Sequence, residues 1–196
     1  KKNNIKKILK KRNYSGEKDE KIHLINTFET DVILISCGKV INNSSLENAF
    51  AIGVREAIKN NYKNLLVFSD INYTNLNNYE SYIIRGSIWG SYRFDNFKTN
   101  KKLSIILNIA HEKSSLNQIN FGLMQGKILH KIADLANSPA NFATPSYIGK
   151  YAKKLVKKGF EVEVLKEKEL KEKKCGGILS VAHGSINEPN LVILKK

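Results

Sequence analysis

The segment from Ala133 to Pro145 constrains the fold of this chain more than any other. Pro139 lacks an N–H and forces the residue before it out of helical geometry, so a helix that reaches this point must end near Asn137. Thr144 is a good N-cap, and Pro145 suits the first helical position, where a missing N–H costs nothing. The segment therefore predicts a helix, a compact turn and a second helix in direct succession.

The part of the chain before this segment alternates short apolar runs with amphipathic stretches. Apolar runs of strand length, bounded by turn residues, are Ile22–Ile25, Val32–Ile35, Leu65–Phe68 and Leu103–Ile109. Helices are predicted from Ser44 or Ser45 to Asn60 and over Tyr79–Trp89, with a polar connection over Asn72–Asn78. The first twenty residues are basic without clear periodicity and predict a loop or a frayed fragment. The alternation predicts an α/β sandwich with a largely parallel sheet.

A longer helix is predicted from Ser115 to Ala136, with Phe121, Met124, Ile128, Ile132 and Leu135 on one face. Gly122 and Gly126 each lower its helix propensity by about 1 kcal/mol, which indicates close packing against a neighbour. Beyond the turn, the helix from Pro145 is expected to end at Gly159. The remaining predictions are a half-buried strand over Phe160–Val164, a charged helix over Lys166–Lys174, a buried strand over Ile178–Ala182 and a strand over Leu191–Leu194.

The charge, the cysteine content and the lengths of the apolar runs indicate which classes of protein are compatible with this sequence. The formal net charge is +15, which is compatible with nucleic-acid binding, but the lysines are dispersed and no recognised nucleic-acid module is present. The cluster at Lys150, Lys153, Lys154, Lys157 and Lys158 falls on one side of a predicted helix and reads as a solvated face. Two cysteines, Cys37 and Cys175, favour a reducing compartment over a disulfide framework. No apolar run reaches the roughly 20 residues that span a bilayer.

Residues that could carry chemistry are scattered through the sequence. The histidines share no metal-ligand spacing, and they are His23, His111, His130 and His183. His130 is expected to be a packed or partly exposed helix residue. His183 and Ser185 make a weak nucleophile–base pair, because neighbours rarely present their side chains to one another productively.

The remaining candidates also favour structural roles. Cys175-Gly176-Gly177 lacks the lysine of a phosphate-binding loop and is expected to be a turn into a strand. Cys37 is expected to be a buried thiol. Asp31 and Asp70 have no carboxylate partner nearby in sequence. Three aromatic residues could stack on bases but are expected to lie in the core, and they are Tyr92, Phe94 and Phe97.

Two sequence patterns resemble one enzyme family. Residues 135–145 match the L-x-N-x-P-A-N-x-x-T-P part of A-x-x-L-x-N-x-P-A-N-x-x-T-P, which opens the catalytic domain of the leucyl (cytosol) aminopeptidase family, and Ile132 stands at the position of the first alanine. Residues 86–98 are similar to G-x-x-x-G-x-Y-x-F-x-x-Y-K, late in the amino-terminal domain of that family, with Phe97 at the position of the second tyrosine. The two patterns occur in the family's order, and weaker similarity runs from about Ile22 to Leu194.

The resemblance implies an architecture. It consists of a macrodomain-like amino-terminal α/β domain over residues 1–114, a linker helix over 115–136 and an incomplete first part of the catalytic α/β domain over 137–196. We expect the amino-terminal domain to be truncated at its start, because the sequence begins with Lys1 and not with Met.

The resemblance also implies an activity. Members of the family are cytoplasmic, commonly hexameric enzymes that hydrolyse amino-terminal residues from peptides with two divalent metal ions, Zn²⁺ or Mn²⁺. The metal ligands lie in V-G-K-G-x-x-F-D-S-G-G and N-T-D-A-E-G-R, and neither pattern occurs here. No catalytic, cofactor-binding or metal residue is therefore assigned to this chain, which is expected to be inactive alone.

Two other functions stay open at this point. A basic α/β binding module for nucleic acid or an ADP-ribose-like ligand is compatible with the charge, although a glycine-rich phosphate loop is missing from the sequence. A purely structural domain that shapes access to a neighbouring active site is the other alternative, and it is the favoured role of the amino-terminal half within a larger enzyme.

Overall fold

The computed structural model of the protein describes residues 2–25, 30–67, 76–99, 105–109 and 115–196. The chain forms two compact units, Lys1–Asp134 and Leu135–Lys196. Helices and strands occur in both, which confirms the mixed α/β class. Among the described residues, no helix combines the length and apolar character needed to cross a membrane. Some of the predictions made above fall outside the described residues. They concern Phe68, Asp70, residues 72–75, the start of the strand at Leu103, and His111.

The first unit follows most of the predicted elements. It contains α1 (Lys2–Lys11), β1 (Lys21–Leu24), β2 (Val32–Ile35), α2 (Asn43–Lys59), β3 (Asn64–Val67), α3 (Tyr79–Gly90), β4 (Ile106–Ile109) and α4 (Leu116–Ala136). Helix α2 begins slightly earlier than predicted, because Asn42 is its N-cap. The Asn42 side chain accepts the Ser45 N–H at 2.8 Å, and the Ser45 hydroxyl accepts the Asn42 N–H at 3.0 Å. This reciprocal pair is a capping box, which satisfies two backbone donors at the helix start.

The prediction of a loop over the first twenty residues is wrong for Lys2–Lys11, which is helical. Ile5, Ile8 and Leu9 have helical spacing in this stretch. The segment has only ten residues and three apolar positions, so its helical periodicity is too weak to distinguish it from a solvated basic loop.

The described strands pair in three two-stranded sheets. Strands β1 and β2 are antiparallel, with Lys21 opposite Ile35 and Leu24 opposite Val32. Strands β3 and β4 are parallel, with Asn64 opposite Ile106. The expectation of parallel pairing is therefore confirmed for β3 and β4 and wrong for β1 and β2. The segment between β1 and β2 is shorter than the dozen or more residues that a parallel crossover needs, so this pair has to be antiparallel.

The core of the first unit lies between β2, α2 and α3. Leu46 and Phe50 of α2 pack with Ile83 of α3 and Cys37, and Leu46 is completely buried. Leu46, Phe50, Val54 and Ala57 recur at helical spacing along α2, and all four are buried, whereas Ile58 at the end of this apolar face is only partly buried. Each large side chain buried in this way stabilises the fold by about 1.5–3 kcal/mol.

The second unit is built around an antiparallel strand pair. It contains α5 (Pro145–Lys153), a 3-10 turn (Lys154–Lys158), β5 (Glu161–Leu165), α6 (Glu167–Glu172), α7 (Gly176–Ala182) and β6 (Leu191–Lys195). Strand β5 pairs with β6, with Leu165 opposite Leu191. Gly159 has φ 82°, the left-handed conformation expected of the glycine that ends the preceding helix. The buried apolar residues of this unit are Ala152, Leu165 and Leu170.

The predicted buried strand over Ile178–Ala182 is wrong, because these residues belong to α7. Val181 is 86% exposed, so the run is not a core element of this unit. Gly176 and Gly177 are therefore the first residues of a helix and not a turn into a strand. A short apolar run fits a buried strand and a helix equally well by periodicity, which is why the sequence alone gave the wrong element.

Candidate functional site

The glycines of the pattern around residue 90 form the contact between α3 and α2. A Cβ on Gly86 would lie 2.2 Å from the Glu47 carbonyl oxygen, and one on Gly90 would lie 2.4 Å from the Ala51 carbonyl oxygen. Both distances are far inside van der Waals contact, so the two helix backbones touch. The glycines in this pattern therefore serve helix packing.

Helix α4 contacts the other side of α3 in the same way. A Cβ on Gly122 would lie 2.6 Å from the Ser81 carbonyl oxygen, and one on Gly126 would lie 2.8 Å from the Ile88 Cβ. The predicted close packing of these two glycines is confirmed. The predicted apolar stripe of α4 lies on a different face of the helix from these glycines. Its side chains are 46–57% exposed at four positions, Phe121, Met124, Ile128 and Ile132.

Arg85 connects the three helices through its guanidinium group. Its Nε donates to Glu47 Oε1 at 2.6 Å, and its Nη1 donates to Gln125 Oε1 at 3.1 Å. The guanidinium also lies 4.6 Å from the centre of the Tyr82 ring. Hydrogen bonding to Glu47 raises the pKa of Arg85, so the arginine stays charged. All three guanidinium nitrogens donate hydrogen bonds within the helix layer, so this cation acts as a packing element.

His130 and the aromatic residues form a cluster between α3 and α4. His130 Nε2 lies 2.7 Å from the Ile88 carbonyl oxygen, and the Tyr92 hydroxyl donates to Asp134 Oδ1 at 3.3 Å. The Tyr92 ring stacks on the Trp89 ring, with 5.4 Å between the ring centres. It also meets the His130 ring edge-on, with 5.2 Å between the ring centres. His130 is a packed helix residue, as the sequence predicts. The cluster joins the end of α3 to α4.

The other two aromatic residues form a separate pair. The ring centres of Phe94 and Phe97 lie 5.8 Å apart, and the Phe97 residue is 54% exposed. The core assignment is therefore wrong for Phe97, because this residue lies in the turn after α3 with its side chain more than half exposed. The predicted trio does not form one stacking platform.

Asp95 is a site residue that the sequence reasoning missed. Its side chain is only 2% exposed, and its carboxylate lies 3.4 Å from both Arg93 Nε and Lys98 Nζ. A buried carboxylate is stable only with such counter-charges. The sequence does contain an indication of these ion pairs, because basic residues stand two positions before and three positions after the aspartate.

A polar chain joins the beginnings of β2 and β3. The Tyr62 hydroxyl donates to the Asp31 carboxylate and lies 3.1 Å from His23 Nε2. The hydrogen bond to Asp31 raises the pKa of Tyr62, because ionisation would break that bond. Asp31 has no carboxylate partner nearby in sequence, and in the structure it binds the Tyr62 hydroxyl, 31 positions away.

The remaining candidates show no catalytic arrangement. His183 is exposed, and the Ser185 hydroxyl accepts the Asn187 N–H at 3.0 Å. Cys37 is buried as predicted, and burial raises the pKa of its thiol. In the described ranges, no group of three or more His, Cys, Asp or Glu side chains could hold a metal ion. These residues therefore do not fit a two-metal centre.

Comparison with known families accounts for the glycine and turn patterns together. The sequence model of the N-terminal domain of the cytosol aminopeptidase family matches residues 2–101, about half of the chain. The model of the catalytic domain of the same family matches residues 131–195.

This chain belongs to the cytosol aminopeptidase family.

Individual members of the family match between about half and nearly all of the chain. A probable cytosol aminopeptidase of Clostridium perfringens is 29% identical over 209 aligned positions, covering 98% of this chain and 42% of the relative. One from Treponema denticola is 28% identical and covers 96% of this chain and 42% of the relative. One from Brucella ovis is 35% identical over 121 positions, or 56% of this chain and 24% of the relative. The chain thus spans less than half the length of these relatives.

Solved structures share the fold. A mutant of tomato leucine aminopeptidase has a TM-score of 0.77 at 21% identity, covering 97% of this chain and 40% of that chain. The bottromycin maturation enzyme BotP in complex with Mn has a TM-score of 0.75 at 18% identity, covering 95% of this chain and 41% of that chain. At these identities, the likeness establishes a shared fold and nothing further.

Proposed function

We propose that these 196 residues are the front portion of a metal-dependent aminopeptidase that removes amino-terminal residues from peptides during protein turnover in the cytoplasm. The observation that carries the proposal is the order of the two family matches, with the N-terminal domain over 2–101 and the catalytic domain over 131–195. In this assignment, residues 1–114 are the amino-terminal domain, 115–136 the linker helix and 137–196 the start of the catalytic domain.

The metal ions of the proposed enzyme would be held outside this stretch. BotP is solved with Mn, and a pair of divalent ions, Zn²⁺ or Mn²⁺, would supply the chemistry of water activation and carbonyl polarisation. The described residues provide no cluster of three ligands, so no step is assigned to them. The chain is proposed to be inactive alone and to contribute to a homo-hexamer only as part of the longer polypeptide.

The proposed role of this part is structural. Glycine contacts and the Arg85–Glu47 pair bind α2, α3 and α4 into one layer. Residues that could do chemistry, such as His130 and Asp95, use their polar atoms or their charge within the fold. The proposed role of such a layer is to stabilise the amino-terminal domain.

The test compares this chain with the product of the complete gene. Hydrolysis of leucine p-nitroanilide is measured with added Mn²⁺, with Zn²⁺, and after chelation with EDTA. We expect metal-dependent hydrolysis by the longer product only. Hydrolysis by neither protein would overturn the peptidase proposal and favour the basic binding module. Metal-dependent hydrolysis by the 196-residue chain would contradict its proposed lack of catalytic residues.

A further inference from the structure

A row of lysine side chains covers the outer face of α5 and of the 3-10 turn that follows it. The inner face of α5 packs on the strand pair, because Ala152 is buried and a Cβ on Gly149 would lie 3.2 Å from Val164 Cγ1. The lysines lie away from this contact, and each of them is exposed to solvent. The lysine face, as we call it, consists of Lys150, Lys153, Lys154 and Lys157.

The backbone geometry places these lysines in one line. Lys150 lies three residues before Lys153 and four before Lys154, and residues at these distances are neighbours on the surface of a helix. Lys154 and Lys157 both belong to the 3-10 turn, where side chains three residues apart are eclipsed. From the rise per residue of the two helix types, the row extends over about 12 Å. The lysine face is therefore a narrow line of positive charges.

The lysine face lacks counter-charges within the described residues. None of its side chains takes part in an ion pair in that part of the chain. Acidic side chains of the second unit bind other lysines instead. Glu167 lies 2.6 Å from Lys171 Nζ, and Glu188 lies 3.0 Å from Lys166 Nζ. The C-terminal end of a helix carries a partial charge of only about half an electron, so it balances a small fraction of the lysine charge.

This arrangement has an electrostatic cost that a bound anion would remove. Like charges four residues apart destabilise a helix, and the lysine face contains such pairs at Lys150–Lys154 and Lys153–Lys157. The rest of the chain adds to the repulsion, because the formal net charge is +15. The lysine face therefore fits a partner that carries several negative charges.

The shape and composition of the lysine face favour a nucleic acid over other polyanions. A line of positive charges matches a polymer that carries its phosphates in a line. The second unit contains no arginine, and lysine meets a phosphate as a point charge, without the planar fork that reads a base edge. A membrane surface fits less well, because no apolar side chain of α5 is exposed for contact with lipid.

We propose that the lysine face binds the phosphate backbone of a nucleic acid without reading its sequence. Each lysine would neutralise one phosphate and release the counterions condensed on it. Such contacts position a protein on the strand but carry no information about the bases. This binding would be a second function of the chain, independent of the proposed peptidase activity.

Fluorescence anisotropy of labelled oligonucleotides measures the binding to this chain. The probes are an oligothymidylate of about twenty nucleotides and a strand of mixed sequence and equal length. We expect their dissociation constants to agree within about twofold, because backbone contacts are blind to sequence. Four phosphate contacts to a single strand predict a roughly fiftyfold loss of affinity between about 50 and 200 mM salt. No binding at the lower salt concentration, or an affinity that salt does not change, would overturn the proposal.

A pair of double variants locates the binding on the molecule. Lys153→Gln/Lys157→Gln removes two charges of the lysine face and should weaken binding by about tenfold or more at low salt. Lys168→Gln/Lys173→Gln removes the same charge from exposed positions in and after α6, and should weaken binding by less than about threefold. Equal losses in the two variants would show that the net charge, and not the lysine face, attracts the nucleic acid, and would overturn the proposal.

The comparison requires that both variants are folded, which circular dichroism verifies. All substituted side chains are exposed, so the fold should be retained. If Lys153→Gln/Lys157→Gln does not fold, Lys150→Gln/Lys154→Gln replaces it, because it removes the same charge from the same face. Undiminished binding in the folded variant of the lysine face would contradict the proposed site.

Sedimentation with phosphatidylserine vesicles tests a membrane as the partner. We expect Lys153→Gln/Lys157→Gln to sediment with these vesicles to the same extent as Lys168→Gln/Lys173→Gln, because only the oligonucleotide should depend on the lysine face. A loss on vesicles as large as the loss on the oligonucleotide would identify a general anionic or membrane surface and would overturn the choice of partner.

The product of the complete gene tests whether the lysine face is accessible in the longer polypeptide. After chelation of metal ions with EDTA, it should bind the oligonucleotide with the same dependence on salt. Loss of binding in the longer product would show that the face is covered there and would overturn the proposal. Because this readout needs no catalysis, its failure is distinguishable from a failure of the proposed peptidase activity.

Discussion

Gly86 of α3 lies directly against the Glu47 carbonyl of α2, so closely that an added Cβ would stand 2.2 Å from that oxygen. The obstructing atom belongs to the backbone of a helix that is itself part of the core. Neither helix can move away locally, because Gly90 makes the same contact one turn later. The spacing of the two glycines therefore sets the distance between the helix axes.

Gly86→Ala is expected to destabilise the first unit by about 3 kcal/mol, because the helices must separate along their whole contact. Gly53→Ala is the matched control, since its Cβ would meet only Ile35 Cγ1 at 3.4 Å, an ordinary contact. The control should gain helix propensity and stay within about 1 kcal/mol of the parent. The free energy of unfolding of each variant is measured by urea titration, with the fluorescence of Trp89 as the readout. Equal stabilities of the two variants would contradict the role of Gly86.

Arg85→Ala is expected to cost about 2 kcal/mol, because it leaves the carboxylate of Glu47 half-buried without its partner. The side chains of this pair are only 20% and 23% exposed. The comparison is Lys21→Ala, which breaks the ion pair with Glu56 on the surface, where the lysine is 48% exposed. Loss of such a surface pair typically costs less than about 1 kcal/mol. The free energies of unfolding from urea titrations should differ accordingly, and a larger loss for Lys21→Ala would refute the ranking.

The sequence predicted most elements of the first unit because their apolar residues recur with a clear period. Leu46, Phe50 and Val54 mark α2 in this way, and all three are buried. Thr144 and Pro145 likewise predicted the start of α5, and that start is confirmed. Periodicity failed where the run was short, as at Ile178–Ala182, and where apolar residues were few, as at Lys2–Lys11.

Long-range contacts were beyond the reach of the sequence. The hydrogen bond from Tyr62 to Asp31 spans 31 positions and depends on how the strands pack. The family patterns were readable, but the reason for their glycines appeared only with the backbone contacts between α2, α3 and α4.

Glu20 gives the first unit a dependence of stability on pH. Its carboxylate accepts the Ser15 hydroxyl at 2.7 Å and the N–H of Gly16 at 2.7 Å. The hydrogen bond from Ser15, followed by those from the backbone, lowers the pKa of Glu20 in the folded state. A lowered pKa contributes stability above the unfolded value of about 4.3, and that contribution is lost as the pH falls through the folded value.

Glu20→Gln is therefore expected to lower the melting temperature most near neutral pH and progressively less below about pH 4.3. Glu17→Gln is the control, because the Glu17 side chain is exposed in the same turn. Thermal unfolding of the parent and both variants over a series of pH values measures the effect. A difference between parent and Glu20→Gln that widens in acid would have the wrong sign for this mechanism.

Thr144→Ala is expected to destabilise the second unit by about 1 kcal/mol, because it removes the cap of α5. The Thr144 hydroxyl accepts the Tyr147 N–H at 3.3 Å, and Pro145 occupies the next position, where no donor is lost. Ser146→Ala is the matched control, since Ser146 is exposed on the same turn. Hydrogen exchange of the α5 amides measures local opening, which should rise roughly fivefold in Thr144→Ala. The control should leave it unchanged, and equal opening in both variants would show that the turn, not the cap, holds the start of the helix.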